Sequence, residues 1–207
     1  MSTNELLWYI SRGAGVTSFA LLTFVLVLGV LGPIRRSERR KAHRIFTPAF
    51  VTGLHRSLAL GMVAFLAAHI FTAVIETYVG IGWLSVIVPF TSEYKPLLVG
   101  FGTLAVDLGI AVMSTALLRK RLPPGAWRIV HKAAYALWPI AALHGLLLGI
   151  EEPVGIQAAI VACIAVGTSA IVWRYSSGRG ALKPDRGAAR PAHAGARQPQ
   201  ARTSPGA

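Results

Sequence analysis

Residues 53–70 read GLHRSLALGMVAFLAAHI and residues 129–145 read IVHKAAYALWPIAALHG, and each run carries one histidine near its start and a second near its end. Apart from those histidines and the basic residues beside them, Arg56, Lys132 and the flanking Arg128, the two runs are almost wholly apolar. A helix needs about 20 apolar residues to cross the hydrocarbon of a bilayer. Ionisable side chains inside such runs are costly and mark function. The two stretches therefore predict membrane-spanning helices with a polar task in their interior.

Working outward, apolar runs at Gly15–Leu31, Leu97–Leu118 and Val154–Trp173 join the two histidine-bearing spans, Gly53–Ile75 and Trp127–Gly149. The expected fold is all-α: a polytopic membrane helix bundle of about five transmembrane helices. A chain that is 54% hydrophobic and only 14% charged has the bilayer as its solvent, which sets aside an ordinary soluble domain. The first span is a retained helix rather than a signal peptide, because only Arg12 precedes it and no small-residue cleavage site follows before Pro33. Residues 79–96, VGIGWLSVIVPFTSEYKP, are apolar but broken by glycines and two prolines, and read as an interfacial or partly re-entrant loop able to lid one side.

The net charge of +13 raises the question of nucleic acid, but the placement of the basic residues answers it. Of the 21 Lys and Arg, 19 fall in the first loop, the third loop and the tail, all on one side of a five-span bundle. Arg12 and Lys95 fall on the other, with Glu5, Glu93, Glu151 and Glu152. Positive residues collect on the cytoplasmic side, so the N-terminus is expected outside and the C-terminus inside a multi-pass protein of the cell membrane, with no nucleic acid partner. Residues 1–175 form the expected membrane domain. Residues 176–207 are Gly, Ala, Pro, Arg and Gln with almost no large apolar side chain, and are expected to be a disordered basic cytoplasmic tail. The single cysteine, Cys163, sits in an apolar run as a packing residue and excludes an internal disulfide or a cysteine-held cluster.

Four histidines remain as candidates, His55, His69, His131 and His144; His43 in the basic first loop and His193 in the tail read as surface residues. The spacings are fourteen and thirteen residues, so the two histidines of one helix lie roughly 20 Å apart and cannot share a metal ion. Zinc would need closer spacings. Because both spans run in the same direction, His55 pairs in depth with His131 and His69 with His144. Two imidazoles from facing helices at each of two depths is the requirement of two b-type haems with bis-histidine axial ligation. Arg56 and Lys132 stand where the propionates of the inner haem would emerge, or snorkel to the interface as anchors. On an ideal helix, fourteen residues leave His55 and His69 within about 40° of one face, whereas thirteen put His144 about 140° from His131. A kink at Pro139 would reconcile the second pair. Gly53, Gly61, Ala67, Ala68 and Gly145 leave room for a flat macrocycle or for close helix packing. Trp138 and Phe65 are expected near mid-membrane between the haems, chiefly as packing residues. Asp107, the acidic residue deep in a span, is expected to be hydrogen-bonded, paired or protonated.

Over roughly Gly53–Gly149 the sequence resembles the ferric reductase-like transmembrane domain family, which includes the haem-bearing part of ferric reductases and NADPH oxidases and the haem subunit of methionine-sulfoxide reductases. The resemblance rests on the two histidine pairs, on their Leu-His-Arg and Val-His-Lys contexts, and on YVGIGWLSVIVPFTSEYKPL at 78–97 leading into GFGTLAVDL at 100–108. It implies that His55 and His131 ligate the cytoplasmic-side haem and His69 and His144 the outer one, in an oxidoreductase electron-transfer component. The chain has no Rossmann fingerprint and no room for the flavin and nicotinamide domains that follow in many relatives, and the family's usual first helix is not evident. Electrons would then come from a cytoplasmic flavin reductase or from quinol, and leave to an outer-face acceptor. A reading from another class is a small helical transporter or proton channel whose histidines and Asp107 line a polar path.

Overall fold

The structure, a computed structural model, describes residues 2–38, 47–77 and 79–180. Among these residues it is all-helical: α1 (Thr3–Glu38), α2 (Pro48–Ile75), α3 (Leu84–Ile87), α4 (Pro96–Leu117), α5 (Pro124–Lys132), α6 (Ala134–Leu148) and α7 (Val154–Gly180), with a 3-10 turn at Gly149–Glu151. Five stretches are long and apolar enough to cross a bilayer: Thr3–Leu31, Ala49–Ile75, Pro96–Leu117, Gly125–Glu151 and Val154–Ser176. The first begins twelve residues earlier than its apolar core, because Asn4, Glu5, Ser11 and Arg12 join the helix by pairing across the bundle or at its start. The protein is thus a multi-pass membrane helix bundle, as its apolar runs require.

Helix starts follow local chemistry. Thr47 caps α2, its hydroxyl accepting from the Phe50 N–H at 3.2 Å, and Pro48 takes the first helical position, where no N–H is needed. Pro96 and Pro124 open α4 and α5 in the same way. The fourth span is two helices that meet at Ala133. The expected distortion at Pro139 is therefore displaced: Pro139 sits inside continuous α6, and the helix is interrupted upstream of it, at Ala133. A proline ring clashes with the carbonyl four residues back, here that of Tyr135 in the first turn of α6, which favours an interruption on the N-terminal side. The Ala133 carbonyl accepts from both Ala136 and Leu137, a tightened turn at the junction.

α1 is the hub, packed along α2, α7 and α6, while α4 packs on α6 and α5. Small polar side chains let α1 approach its neighbours closely: Ser11, Ser18 and Thr23 are all buried. Ser18 donates to the Met62 carbonyl at 3.1 Å, and Trp138 Nε1 donates to Thr23 Oγ1 at 3.0 Å. Trp138 stacks on Phe19, with centroids 6.1 Å apart, in a core that includes Leu26, Val30, Ala142 and Ile160. A Cβ at Gly167 would collide with the Trp138 ring, so α7 can seat that ring only with glycine there. Trp138 is a packing residue of the α1–α6–α7 core, and Phe65 is exposed on α2. α7 continues to Gly180, past the expected boundary at Ser176. His43, His193 and the rest of the basic tail lie outside the described residues.

Residues 79–95 fold over one end of the bundle as expected of a lid. Thr103 of α4 donates to the Ser85 carbonyl, and the Phe90 ring packs so close to Gly100 that it leaves no room for a Cβ there. Phe90 adopts φ 68°, a left-handed conformation that is strained for a bulky residue and is held by this packing. Lys95 ties the segment to the end of the fourth span through a 2.8 Å ion pair with Glu151.

Candidate functional site

α2 and the α5–α6 span carry the four histidines, yet among the described residues α2 packs along α1 and not closely against α5 or α6. Across the space between them the histidines stand opposite one another at two depths. His55 faces His131 with ring centroids 6.4 Å apart, and His69 faces His144 with centroids 6.3 Å apart. The structure therefore brings together the pairs expected from depth, and keeps the two histidines of each helix apart. In neither pair do the rings touch.

The spacing has a direct chemical meaning. With a metal–imidazole nitrogen distance of about 2 Å and a ring centre about 1.2 Å behind that nitrogen, two imidazoles on opposite sides of one metal have centres about 6.4 Å apart. Among the described residues no three His, Cys, Asp or Glu side chains gather as a metal-ion cage. Two facing imidazoles suffice for a metal whose other four donors come from a macrocycle, so the residues present fit a haem at each level.

Ring orientation is set from neighbouring helices. His69 Nδ1 lies 2.8 Å from the Ser11 carbonyl, with Ser11 Oγ at 3.3 Å, and His144 Nδ1 lies 2.7 Å from the Leu98 carbonyl. Nδ1–H donates to each carbonyl, which leaves Nε2 with its lone pair for a ligand. His55 has the Val25 carbonyl as its partner. At His131 the support is aromatic: Trp127 stacks on its ring at 5.1 Å and 19°, Arg119 lies 4.6 Å over the Trp127 ring, and His131 Nδ1 is buried without a partner.

Glycines admit the rings. A Cβ at Gly102 of α4 would stand 2.6 Å from His144, and one at Gly15 of α1 would stand 2.9 Å from His69. These two, with Ser11, Trp127 and Arg119, are not singled out by the sequence, which favours Gly53 and Gly145; a Cβ at either of those meets nothing within 4 Å. Glycines are common in membrane spans, and backbone carbonyl acceptors leave no mark in a sequence. Arg56 and Lys132 are both exposed beside the His55–His131 level. Asp107 is exposed on α4 and is not among the residues that line the cavity between the histidine helices.

That cavity lies at the His69–His144 level, walled by apolar residues of α1, α2, α4 and α6 and roofed by Ser85, Val86 and Tyr94 of the lid. A comparison with protein families matches residues 14–142 to the family described as ferric reductase like transmembrane component. The chain belongs to this family. The matched segment holds His55, His69 and His131 and stops just short of His144. Membership indicates a transmembrane component of oxidoreductase type, with electron transfer across the membrane as the general activity. It also extends the resemblance back to residue 14, within α1. No curated protein and no solved structure matches the chain.

Proposed function

We propose that this ferric reductase-like protein carries electrons across the cell membrane through two b-type haems, one held by His55 and His131 and the other by His69 and His144. The observation that carries the reading is the spacing: two facing imidazole pairs, with ring centroids 6.4 and 6.3 Å apart, each of which would hold one haem iron between its two histidines. The haems, when bound, supply one-electron iron redox chemistry. The protein's own residues do the rest. The Ser11 and Leu98 carbonyls hold the outer-level rings with Nε2 presented, Gly15 and Gly102 clear the space they occupy, and mostly apolar side chains wall the site. Arg56, Lys132, Arg119 and Trp127 surround the other level, where cationic and ring donors suit propionate groups.

The basic excess around that level supports an inside location for it, with the N-terminus outside. Electrons then enter from a cytoplasmic flavin reductase, whose acidic surface the basic face would attract, or from quinol, and leave to an outer-face acceptor. The test is transport itself. With purified protein in liposomes, a reductant confined to the side of the His55–His131 level should reduce a membrane-impermeant ferric complex on the other side. Haem-loaded protein that passes no electrons between the compartments would overturn the proposal.

A further inference from the structure

The cavity at the His69–His144 level also holds three charged side chains that ligation does not use: Arg12 of α1, Glu76 at the end of α2 and Glu152 after the 3-10 turn. Arg12 Nε lies 2.7 Å from Glu152 Oε1, and the Arg12 guanidinium also lies 5.0 Å over Trp8. Among the described residues Glu76 has no such partner. It is 2% exposed, its Oε1 is buried without a hydrogen bond, and it lines the cavity. Lys95 is engaged with Glu151. The other titratable groups facing the same space are Tyr94, His69 and His144. One guanidinium thus stands against two carboxylates in an apolar surround, and its short contact belongs to Glu152.

A carboxylate left in that position is destabilised by desolvation, and proton uptake relieves it. Burial pushes the Glu76 carboxyl above the ordinary carboxylate range, and Arg12 pulls it partly back. The route to water is short, because Thr77, the next residue, is exposed and hydrogen-bonded to Asn4 at 3.0 Å. Glu76 is two helical turns beyond His69, about 10 Å by helix rise. At that distance and an effective dielectric constant of about 20, one added electron charge raises a carboxylate's proton affinity about tenfold.

We propose that Glu76 is a proton-loading site coupled to the redox state of the His69–His144 level, a step that rests on the two-haem reading. With a haem held by His69 and His144, one electron delivered to that level by the flavoprotein or quinol donor would be matched by one proton from water, which forms the O–H bond on Glu76 and leaves the net charge of the site unchanged. When the electron leaves to the acceptor, that O–H bond breaks and the proton returns to water or goes to the reduced acceptor. Arg12 sets the balance, since it is the cation that both carboxylates share.

Redox titration of the haem-loaded protein at a series of pH values tests this. The component lost in His69→Ala should fall in potential by a total of about 59 mV as pH rises through the window, the one-electron equivalent of the tenfold change. The component lost in His55→Ala should not follow it. Glu76→Gln should abolish the fall and Glu76→Asp should keep it. Glu152→Gln, which releases Arg12 toward Glu76, should move the window to lower pH. In the wild-type protein, the infrared difference between reduced and oxidised states should contain a protonated-carboxyl band, which Glu76→Gln removes. A flat potential in red wild-type protein, a fall that survives Glu76→Gln, or absence of the infrared band overturns the proposal while leaving the haems standing. Colourless protein overturns both.

Discussion

At His69 and His144 the Nδ1–H is spent on a backbone carbonyl, at 2.8 and 2.7 Å, so each ring has one nitrogen left to give. His55 and His131 differ, one supported by the Val25 carbonyl and the other by the stacked Trp127 ring. If each level holds one haem, the four histidines fall into two groups. His55→Ala and His131→Ala should remove the same spectral component, and His69→Ala and His144→Ala the other, because the levels are roughly 20 Å apart by helix rise and share no ligand. Pairing two substitutions within a group should cost little more than one alone, and pairing across groups should remove both components. Visible spectra of the purified variants measure this, and His55→Ala grouping with either outer-level histidine would contradict it. These four residues were legible in the sequence because an ionisable ring is costly in an apolar run unless it has a polar task there, and because constant helix rise converts spacing into depth. The carbonyls of Ser11, Val25 and Leu98 were not legible, since every residue has one.

At the scale of the element, α1 and α4 do as much for the site as the helices that bear its histidines. Each contributes a glycine against an imidazole and a carbonyl beneath it. Gly102→Ala would put a methyl group 2.6 Å from the His144 ring, which must then swing off the Leu98 carbonyl. The expected result is a loss of about 10–100-fold in haem affinity at the His69–His144 level, the usual effect of removing a ligand's support, with the other level unchanged. Gly53→Ala, whose Cβ meets nothing within 4 Å, should leave both levels as they are; haem titration of the two variants compares them directly. The break in the fourth span was half legible. Thirteen residues between His131 and His144 require a distortion, and Pro139 supplies a reason for it. Its location at Ala133 depends on which carbonyl the ring displaces, and Lys132-Ala133-Ala134 holds no breaker to read. Glu76 does not stand out in the sequence because it directly follows an apolar run, where a carboxylate is ordinarily wet; its burial under the lid is a tertiary fact.

For the whole molecule, the arrangement is a bundle in which α1 packs along both α2 and α6 while, among the described residues, those two do not pack closely on each other. Hydropathy and the one-sided distribution of Lys and Arg carried the sequence to a five-span bundle with little ambiguity, since length and polarity alone decide what can cross hydrocarbon. Which helices touch was not legible, because apolar spans look alike from all sides; α6 meets α7 through the seat of Trp138 against Gly167, and α1 joins them through the Thr23–Trp138 hydrogen bond. We read the open gap between α2 and the α5–α6 span as a two-haem site. Its most direct test is the haem content of the full-length protein purified after expression with haem in excess, by pyridine haemochrome assay against protein concentration, together with its reduced-minus-oxidised spectrum. Two b-type haems per chain with a split, low-spin absorption band is the predicted result, and colourless protein, or a single haem that no pair of histidine substitutions can divide, would contradict it.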